Sequence, residues 1–182
     1  MVIKGKLMDA DGMGNTFRRL AHQVIENNGG AEGLVLIGIR TRGVTVAKRI
    51  KACIDSIEGT DVPLGVFDIA LYRDDLGELN TEVAFYGSEI GFGVDGKTVL
   101  ICDDVLYTGR TVRAAIAEVM QLGRPARIRF LALIDRGHRE LPFRADFVGK
   151  SVPTARREGI AVRFVEDDGE DAVYICEKES AR

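Results

Sequence analysis

The chain has 182 residues, of which 46% are hydrophobic and 29% are charged, and its formal net charge is −3. This length and balance are typical of a single globular domain over residues 1–182, and they exclude disordered and fibrous classes. Neither an N-terminal targeting segment nor a long apolar stretch is recognisable, so we expect a cytoplasmic protein without membrane contacts. The three cysteines are widely spaced and odd in number, which argues against a disulfide framework and a zinc site.

The first half of the chain alternates between helical and strand patterns. An amphipathic helix is predicted from a cap at Asn15 or Thr16 to about Asn27, with Gly29 and Gly30 ending it. A buried strand at 34–39, a short loop at 40–43, a helix at 44–57 and a strand at 62–71 follow. A long polar loop then extends to about Val94.

The second half continues the alternation. The predicted order is a strand at 99–102, a helix at 111–122, a strand at 128–134, an irregular segment at 136–154 and a terminal hairpin at 160–165 and 172–176. Because strands alternate with helices, we predict an α/β fold with a mostly parallel central sheet flanked by helices.

The segment Val99–Thr111 joins an apolar strand to a helix through two adjacent carboxylates and a Thr-Gly turn. In an open α/β sheet, ligands bind beyond the carboxyl ends of the strands, and a helix N-terminus binds anions through its free N–H groups. We therefore expect Thr108–Thr111 to hold a phosphate, while Asp103 and Asp104 accept hydrogen bonds from vicinal hydroxyls. Ribose 5-phosphate satisfies both halves of the segment. The alternative is a solvated loop with a helix cap.

Arg40-Thr41-Arg42-Gly43 follows another buried strand and is expected at the same edge of the sheet. Two guanidinium groups and a glycine that permits close backbone approach suit a second anionic group, pyrophosphate. The alternative is a solvated turn. The loop at about 72–94 is long enough to close over a site as a lid, or to be a disordered insertion, and Arg73 is its one basic residue.

Residues Val99–Thr111 resemble the phosphoribosyl-pyrophosphate signature of type I phosphoribosyltransferases. The segments Asp135–Lys150, Val152–Thr154 and Leu71–Leu76 are similar to one branch of that superfamily, the PyrR family of bifunctional pyrimidine operon regulators and uracil phosphoribosyltransferases. The resemblance extends from about Phe17 to about Val165. It implies a type I phosphoribosyltransferase fold with a small irregular hood, at about 136–160, plus the C-terminal hairpin. It also implies that uracil and phosphoribosyl pyrophosphate give UMP and pyrophosphate with Mg2+, and that pyrimidine operon mRNA leader is bound when UMP is present.

The resemblance also implies roles for individual residues. Thr41 and Arg42 match pyrophosphate positions, and one of the two signature aspartates would hold magnesium through water, with no side chain assigned as a direct metal ligand. Arg136 matches a contact to the base or nucleotide. The candidate catalytic residues are Asp103, Asp104, Arg42 and Arg73. The candidate substrate site comprises Thr41, Arg42, Asp103, Asp104, Val105, Leu106, Tyr107, Thr108, Gly109, Arg110, Thr111, Arg136, His138 and, through its backbone, Ile160.

An RNA-binding surface is implied in the same way. Net charge alone argues against nucleic acid, but many acids lie in two short segments, 74–95 and 166–171, and the rest of the chain is basic. Family members bind RNA with positions that match Arg19, His22, Arg139, Arg144 and Lys150. Arg18 and Asn27 differ from the Bacillus-type proteins, which have a hydroxyl residue and an Arg there, so RNA affinity or sequence preference is expected to differ.

Three functions stay open from the sequence. The chain is an active uracil phosphoribosyltransferase that also regulates, or an RNA-binding nucleotide sensor with little transferase activity, or a phosphoribosyltransferase for another base. A purine enzyme would be expected to carry a carboxylate where this chain has Tyr107, which weighs against the third. We also expect a homodimer or a higher homo-oligomer.

Overall fold

A six-stranded sheet forms the body of the computed structural model, which describes residues 2–70 and 84–177. In spatial order its strands are β4 (Ala84–Glu89), β3 (Leu64–Ala70), β2 (Leu34–Ile39), β5 (Thr98–Leu106), β6 (Arg127–Asp135) and β7 (Phe147–Ser151). The β3–β4 pair is antiparallel and the other neighbouring pairs are parallel. The predicted mostly parallel α/β fold is confirmed, and the carboxyl ends of five strands meet at one edge.

Helices cover both faces of this sheet. Helices α1 (Ala10–Asn28) and α2 (Arg42–Glu58) pack on one face, where Leu36 and Leu100 contribute to the core. Helix α3 (Arg110–Leu122) packs on the other face, where Ile37 and Ile101 contribute. All six residues of β2 are buried, as expected for a central parallel strand covered on both sides. Over residues 2–70 and 84–177, no helix has the length and apolarity that crossing a membrane requires.

A second, three-stranded antiparallel sheet lies beside the first. Its strand order is β1 (Val2–Met8), β9 (Ala172–Glu177) and β8 (Glu158–Arg163), and a short helix, α4 (Val165–Asp168), connects β8 to β9. The predicted terminal hairpin is confirmed, whereas β1 was not predicted. We call these three strands and α4 the hood. The ring of Phe164 contacts that of Phe17 on α1 at 6.3 Å between centroids.

Three predicted boundaries were wrong because backbone pairing continues through polar residues. Strand β5 does not end at Cys102, since Val105 pairs with Ile134 and Leu106 with Asp135. Strand β4 occupies part of the predicted lid loop, and β7 occupies part of the predicted irregular segment. The segment proposed as the hood, about 136–160, is therefore divided between the last strand of the main sheet and the first strand of the hood.

Helix α1 begins earlier than predicted. It starts at Ala10 rather than after a cap at Asn15 or Thr16, and the Asp9 carboxylate accepts a hydrogen bond from the Gly12 N–H at 2.9 Å. This side-chain cap compensates for the two glycines in the first turns, which made the sequence look non-helical. The predicted end is confirmed, because Gly29 adopts a left-handed conformation with φ of 76°.

Candidate active site

A cleft of about 580 Å³ lies at the carboxyl edge of the parallel strands. It brings together six of the predicted residues: Thr41, Arg42, Asp103, Asp104, Val105 and Thr111. It also includes Arg40, the other guanidinium expected in the second loop, and three residues that the sequence did not single out: Ile39, Asp68 and Ile69. The second loop therefore shares this cavity with the carboxylate pair and with Thr111 of the phosphate segment, at the edge that the open-sheet rule indicates. Thr108, Gly109 and Arg110 do not line it.

The paired carboxylates lie within the second half of β5 rather than in the predicted strand-to-helix loop, and two more strand residues, Val105 and Leu106, follow them. The Asp103 carboxylate accepts a hydrogen bond from the Asp104 N–H at 2.9 Å, and Asp104 accepts one from the Val105 N–H at 2.9 Å. Burial raises the pKa of Asp103, and the adjacent charge of Asp104 raises it further. Burial also raises the pKa of Asp104, although the Arg42 guanidinium opposes that rise. Each backbone contact occupies one oxygen and leaves acceptor capacity for ligand hydroxyls.

The phosphate segment is a tight turn into α3. Gly109 has a φ of 93° and precedes the first helical residue, Arg110, with no side-chain cap on the helix. The Arg110 N–H donates a hydrogen bond to the Thr108 hydroxyl oxygen, at an N–O distance of 3.3 Å. A left-handed residue at this point requires glycine, and the uncapped N–H groups of the first turn suit an anion. The predicted loop is shorter than expected, since it comprises only residues 107–109.

Residues 139–143 cover this turn from outside. The N–H groups of Glu140 and Leu141 donate to the Thr108 carbonyl at 3.0 and 3.1 Å. The Arg110 side chain donates to Glu140 at 2.8 Å. A Cβ atom on Gly109 would lie 3.3 Å from the Phe143 ring. The phosphate turn is thus packed directly against the segment that follows β6.

The second anion loop, which comprises residues 40–43, lies against Asp103. A Cβ atom on Gly43 would lie 2.6 Å from the Cys102 carbonyl oxygen and 3.1 Å from Asp103, so only glycine fits between α2 and β5. The Arg40–Thr41 peptide bond is cis, and Thr41 is the cap residue of α2. The Arg42 guanidinium donates to Asp168 of α4 at 2.8 Å. The sequence did not predict this partner.

Arg136 and Tyr107 form a fixed cation–aromatic pair beside the phosphate turn. The Arg136 guanidinium lies 4.0 Å from the centroid of the Tyr107 ring. It also donates to the Thr154 hydroxyl at 3.2 Å and to the Glu158 carbonyl at 2.5 Å. His138 has a φ of 59°, and its Nε2 lies 2.6 Å from the Thr154 carbonyl oxygen. These contacts tie the predicted base end of the site to the start of β8.

Three of the predicted substrate residues have apolar side chains that pack in the protein core. Leu106 is buried in the core on the α3 side, and Val105 packs partly against the core on the other side. Ile160 lies on β8, pairs with Ile175 and packs against the core on the α1 and α2 side of the main sheet, as Val105 does. Their side chains are apolar and mostly covered. Any ligand contact from them comes from their main chain or from an apolar edge.

The comparisons with known proteins identify the family. The chain matches the phosphoribosyl transferase domain family over residues 6–164. It is 52% identical over 177 residues to the bifunctional protein PyrR of Clostridioides difficile (strain 630), covering 97% of this chain and 100% of the relative. It is 52% identical over 181 residues to that of Thermus aquaticus, covering 100% of both. The chain belongs to the PyrR family. The family predicted from the sequence is thereby confirmed.

The fold of this PyrR family member is similar to those of solved phosphoribosyltransferase structures. A hypoxanthine-guanine phosphoribosyltransferase from Bacillus anthracis matches with a TM-score of 0.76 at 20% identity, covering 94% of this chain and 98% of the other. A hypoxanthine phosphoribosyltransferase from Trypanosoma cruzi matches with a TM-score of 0.76 at 18% identity, covering 96% of each chain. At such identity the likeness shows the fold alone. The predicted type I phosphoribosyltransferase fold is confirmed.

The residues that the PyrR resemblance assigned to RNA lie in different settings. Arg19 on α1 donates to the Gly149 carbonyl on β7 at 2.5 Å, and Lys150 on β7 donates to the Leu7 carbonyl at 2.9 Å. His22 and Arg144 are exposed. Arg19, His22 and Lys150 thus share the side of the molecule where α1 meets β7, and Arg144 lies in the segment that leads into β7.

Arg139 has a different setting from the other four. Its guanidinium donates to the Tyr107 carbonyl at 2.7 Å, to the Phe143 carbonyl at 3.0 Å and to the Gly137 carbonyl at 3.1 Å, and it forms an ion pair with Asp135. These internal bonds hold the phosphate turn against its cover. The side chain is built into the site of this PyrR family member rather than projecting from it.

One functional candidate of this PyrR chain was missed, and one was not located. Arg40, which the sequence indicated as the second guanidinium of its loop, lines the cleft and pairs with Glu89 at 3.0 Å. Asp168 had no local signal, because it approaches Arg42 from the other end of the chain. Arg73 lies outside the described residues, as does most of the predicted lid.

Proposed function

We propose that the chain transfers the ribose 5-phosphate group of phosphoribosyl pyrophosphate to uracil, giving UMP and pyrophosphate in pyrimidine salvage. The observation that carries this proposal is the single cleft in which a carboxylate pair, a helix N-terminus and a second cationic loop meet in a member of the PyrR family. Each of the three suits one part of the donor substrate. The carboxylates suit the ribose hydroxyls, the helix terminus suits the 5-phosphate and the second loop suits pyrophosphate.

The chemistry requires positioning and charge stabilisation above all. The bond between ribose C1 and the pyrophosphate oxygen breaks, and uracil N1 forms the new bond while its proton leaves. Positive charge develops on the sugar and negative charge on the leaving group. Asp103 and Asp104 fix the sugar, and Thr41 and Arg42 receive the pyrophosphate, with Arg73, from the segment that the sequence predicts as a lid, as a further candidate. Arg136, His138 and the Ile160 backbone form the base end.

Mg2+ belongs to the same proposal as the metal that accompanies phosphoribosyl pyrophosphate. Among residues 2–70 and 84–177, no cluster of three or more His, Cys, Asp or Glu side chains could hold a metal ion. The residue that would fit is either Asp103 or Asp104, adjacent carboxylates at the ribose end, one of which would hold the ion through water while the ion arrives with the pyrophosphate group. When bound, the ion neutralises the charge of the leaving group.

The second proposed activity is UMP-dependent binding to the pyrimidine operon mRNA leader, through which the protein regulates transcription of the operon. Arg19, His22, Arg144 and Lys150 form the proposed RNA surface. Arg139 connects that surface to the nucleotide, because its bonds to the Tyr107 and Phe143 carbonyls join the phosphate turn to the segment that carries Arg144. A nucleotide that orders the turn would order that segment as well, and by linkage RNA would tighten UMP binding equally.

One paired experiment tests both activities in the cytoplasmic, homo-oligomeric protein that we propose. Uracil, hypoxanthine and other free bases are each assayed with phosphoribosyl pyrophosphate and Mg2+, and leader RNA binding is titrated with and without UMP. We expect turnover with uracil and RNA binding that tightens with UMP. RNA binding without turnover would support a nucleotide sensor instead, and turnover with hypoxanthine would support a purine enzyme.

A further inference from the structure

The hood reaches the second anion loop through one carboxylate. Asp168 accepts a hydrogen bond from the Arg42 Nη2 at 2.8 Å through one oxygen and from the Phe164 N–H at 3.1 Å through the other. Both side chains of the ion pair are partly buried, at 31% and 22% exposure. Burial opposes ionisation of Asp168, but the Phe164 N–H and the Arg42 guanidinium hold its pKa below the ordinary value. The carboxylate is therefore charged and fixed in direction.

Two further residues of α2 hold α4 and the turn after it against α2. The Thr45 hydroxyl donates to Asp167 at 3.0 Å, and Arg49 donates to Glu166 at 3.0 Å and to Asp171 at 2.8 Å. Arg42, Thr45 and Arg49 have the spacing of one helix face, so a single face of α2 binds the acidic turn at three points. This docking places Asp168 beside Arg42 without any ligand.

The Arg42 guanidinium is only partly satisfied. Its Nε is buried and has no hydrogen-bond partner among residues 2–70 and 84–177. A buried donor without an acceptor is unfavourable, so this arrangement of Arg42 costs free energy that the surrounding contacts must offset. Arg42 also lines the cleft together with Thr41 and Thr111, and its side chain is 31% exposed. One side of the guanidinium is thus anchored on the hood, while its exposed part lies at the cleft, where a ligand oxygen can bind.

We propose that Asp168 is a positioning residue for phosphoribosyl pyrophosphate, which anchors the Arg42 guanidinium so that it is already aimed at the pyrophosphate group before the substrate arrives. Holding one rotamer of Arg42 removes the entropy loss that a mobile arginine would suffer on binding. The hood then contributes to the pyrophosphate subsite as well as to the base end. This inference rests on the proposed function, because it assumes that Arg42 binds pyrophosphate.

The test is Asp168→Asn, with Glu170→Gln as the matched control. Arg42 and the Phe164 N–H bind different oxygens of Asp168, and Asn would replace one of these acceptors by an NH2 donor, so both bonds cannot persist. Glu170 instead accepts from Arg163 and from the Tyr174 hydroxyl within the hood. We expect the Kd of phosphoribosyl pyrophosphate, measured by calorimetry, to rise about fivefold to tenfold in Asp168→Asn. The Kd of UMP, which has no pyrophosphate, stays within about twofold, and Glu170→Gln resembles the wild type.

A double-variant cycle separates positioning from a structural defect. In an Arg42→Ala background, Asp168→Asn should change phosphoribosyl pyrophosphate binding by less than about twofold, because the anchored group is gone. Equal or tighter binding in Asp168→Asn would overturn the inference, as would an equal loss of UMP binding or an undiminished effect in the Arg42→Ala background. Wild-type protein that binds the donor but does not react with uracil would refute the proposed function and leave this binding test intact.

Discussion

Replacing Asp103 by Asn is expected to stabilise the protein while it lowers activity. The carboxylate is 9% exposed and lies beside a second carboxylate, and both effects raise its pKa above the ordinary value. A carboxyl group whose pKa is higher in the folded than in the unfolded protein binds its proton more tightly when folded. The free energy of unfolding therefore falls as the pH rises from the unfolded pKa to the folded pKa. Each pKa unit by which the folded value exceeds the unfolded value lowers the free energy of unfolding by about 1.4 kcal/mol once the group is ionised. Asn does not titrate and still offers an oxygen to the Asp104 N–H.

The expected gain is on the order of 1 kcal/mol or more, which for a chain of this length is about 2 to 4 °C in Tm. The assay is thermal unfolding of both proteins at about pH 4, near the ordinary aspartate pKa of 3.8, and at about pH 8. The Tm difference in favour of Asp103→Asn should be larger at the higher pH. With Asp104→Asn added, turnover should fall by a factor on the order of 100 or more. An Asp103→Asn protein that is less stable than the wild type at the higher pH would contradict this prediction.

Three other predictions follow from contacts in and around the site. Arg42→Ala should raise the KM of phosphoribosyl pyrophosphate far more than that of uracil in steady-state assays, and equal effects would make Arg42 structural. Lys150→Ala should weaken RNA binding and reduce the slope of log affinity against log salt by about one, while uracil turnover stays unchanged. The control is Lys48→Ala, at another exposed lysine. RNA titrations identical to those of the wild type would show that Lys150 is not part of the RNA surface. Gly43→Ala should lower both Tm and turnover, because its Cβ would overlap the Cys102 carbonyl, and wild-type behaviour would contradict the close packing.

The sequence predicted the parts of the site that lie on one short segment. Val99–Thr111 contains a buried strand, two carboxylates and a helix start within local reach, so periodicity and chemistry identify them together. The same holds for Arg40–Gly43, which follows the neighbouring strand. Both segments depend only on local pattern and on the rule that parallel strands end at one edge.

The sequence could not predict features that distant contacts determine. Asp168 is opposite Arg42 only because the hood folds back over α2, and no local pattern encodes that approach. Strand β5 continues past Cys102 because β6 supplies hydrogen-bond partners for polar residues, which single-sequence periodicity ignores. The setting of Arg139 is similar, since its charge indicated a solvated or RNA-facing side chain, whereas carbonyl groups of two separate segments bind it.

Uracil specificity is tested most directly by the rate of nucleotide formation from phosphoribosyl pyrophosphate and Mg2+ with uracil and with hypoxanthine, measured side by side on this protein. We predict UMP formation from uracil with a kcat/KM that exceeds the hypoxanthine value by a factor on the order of 100 or more. Comparable or faster reaction with hypoxanthine, or no UMP from a protein that binds the donor, would contradict it.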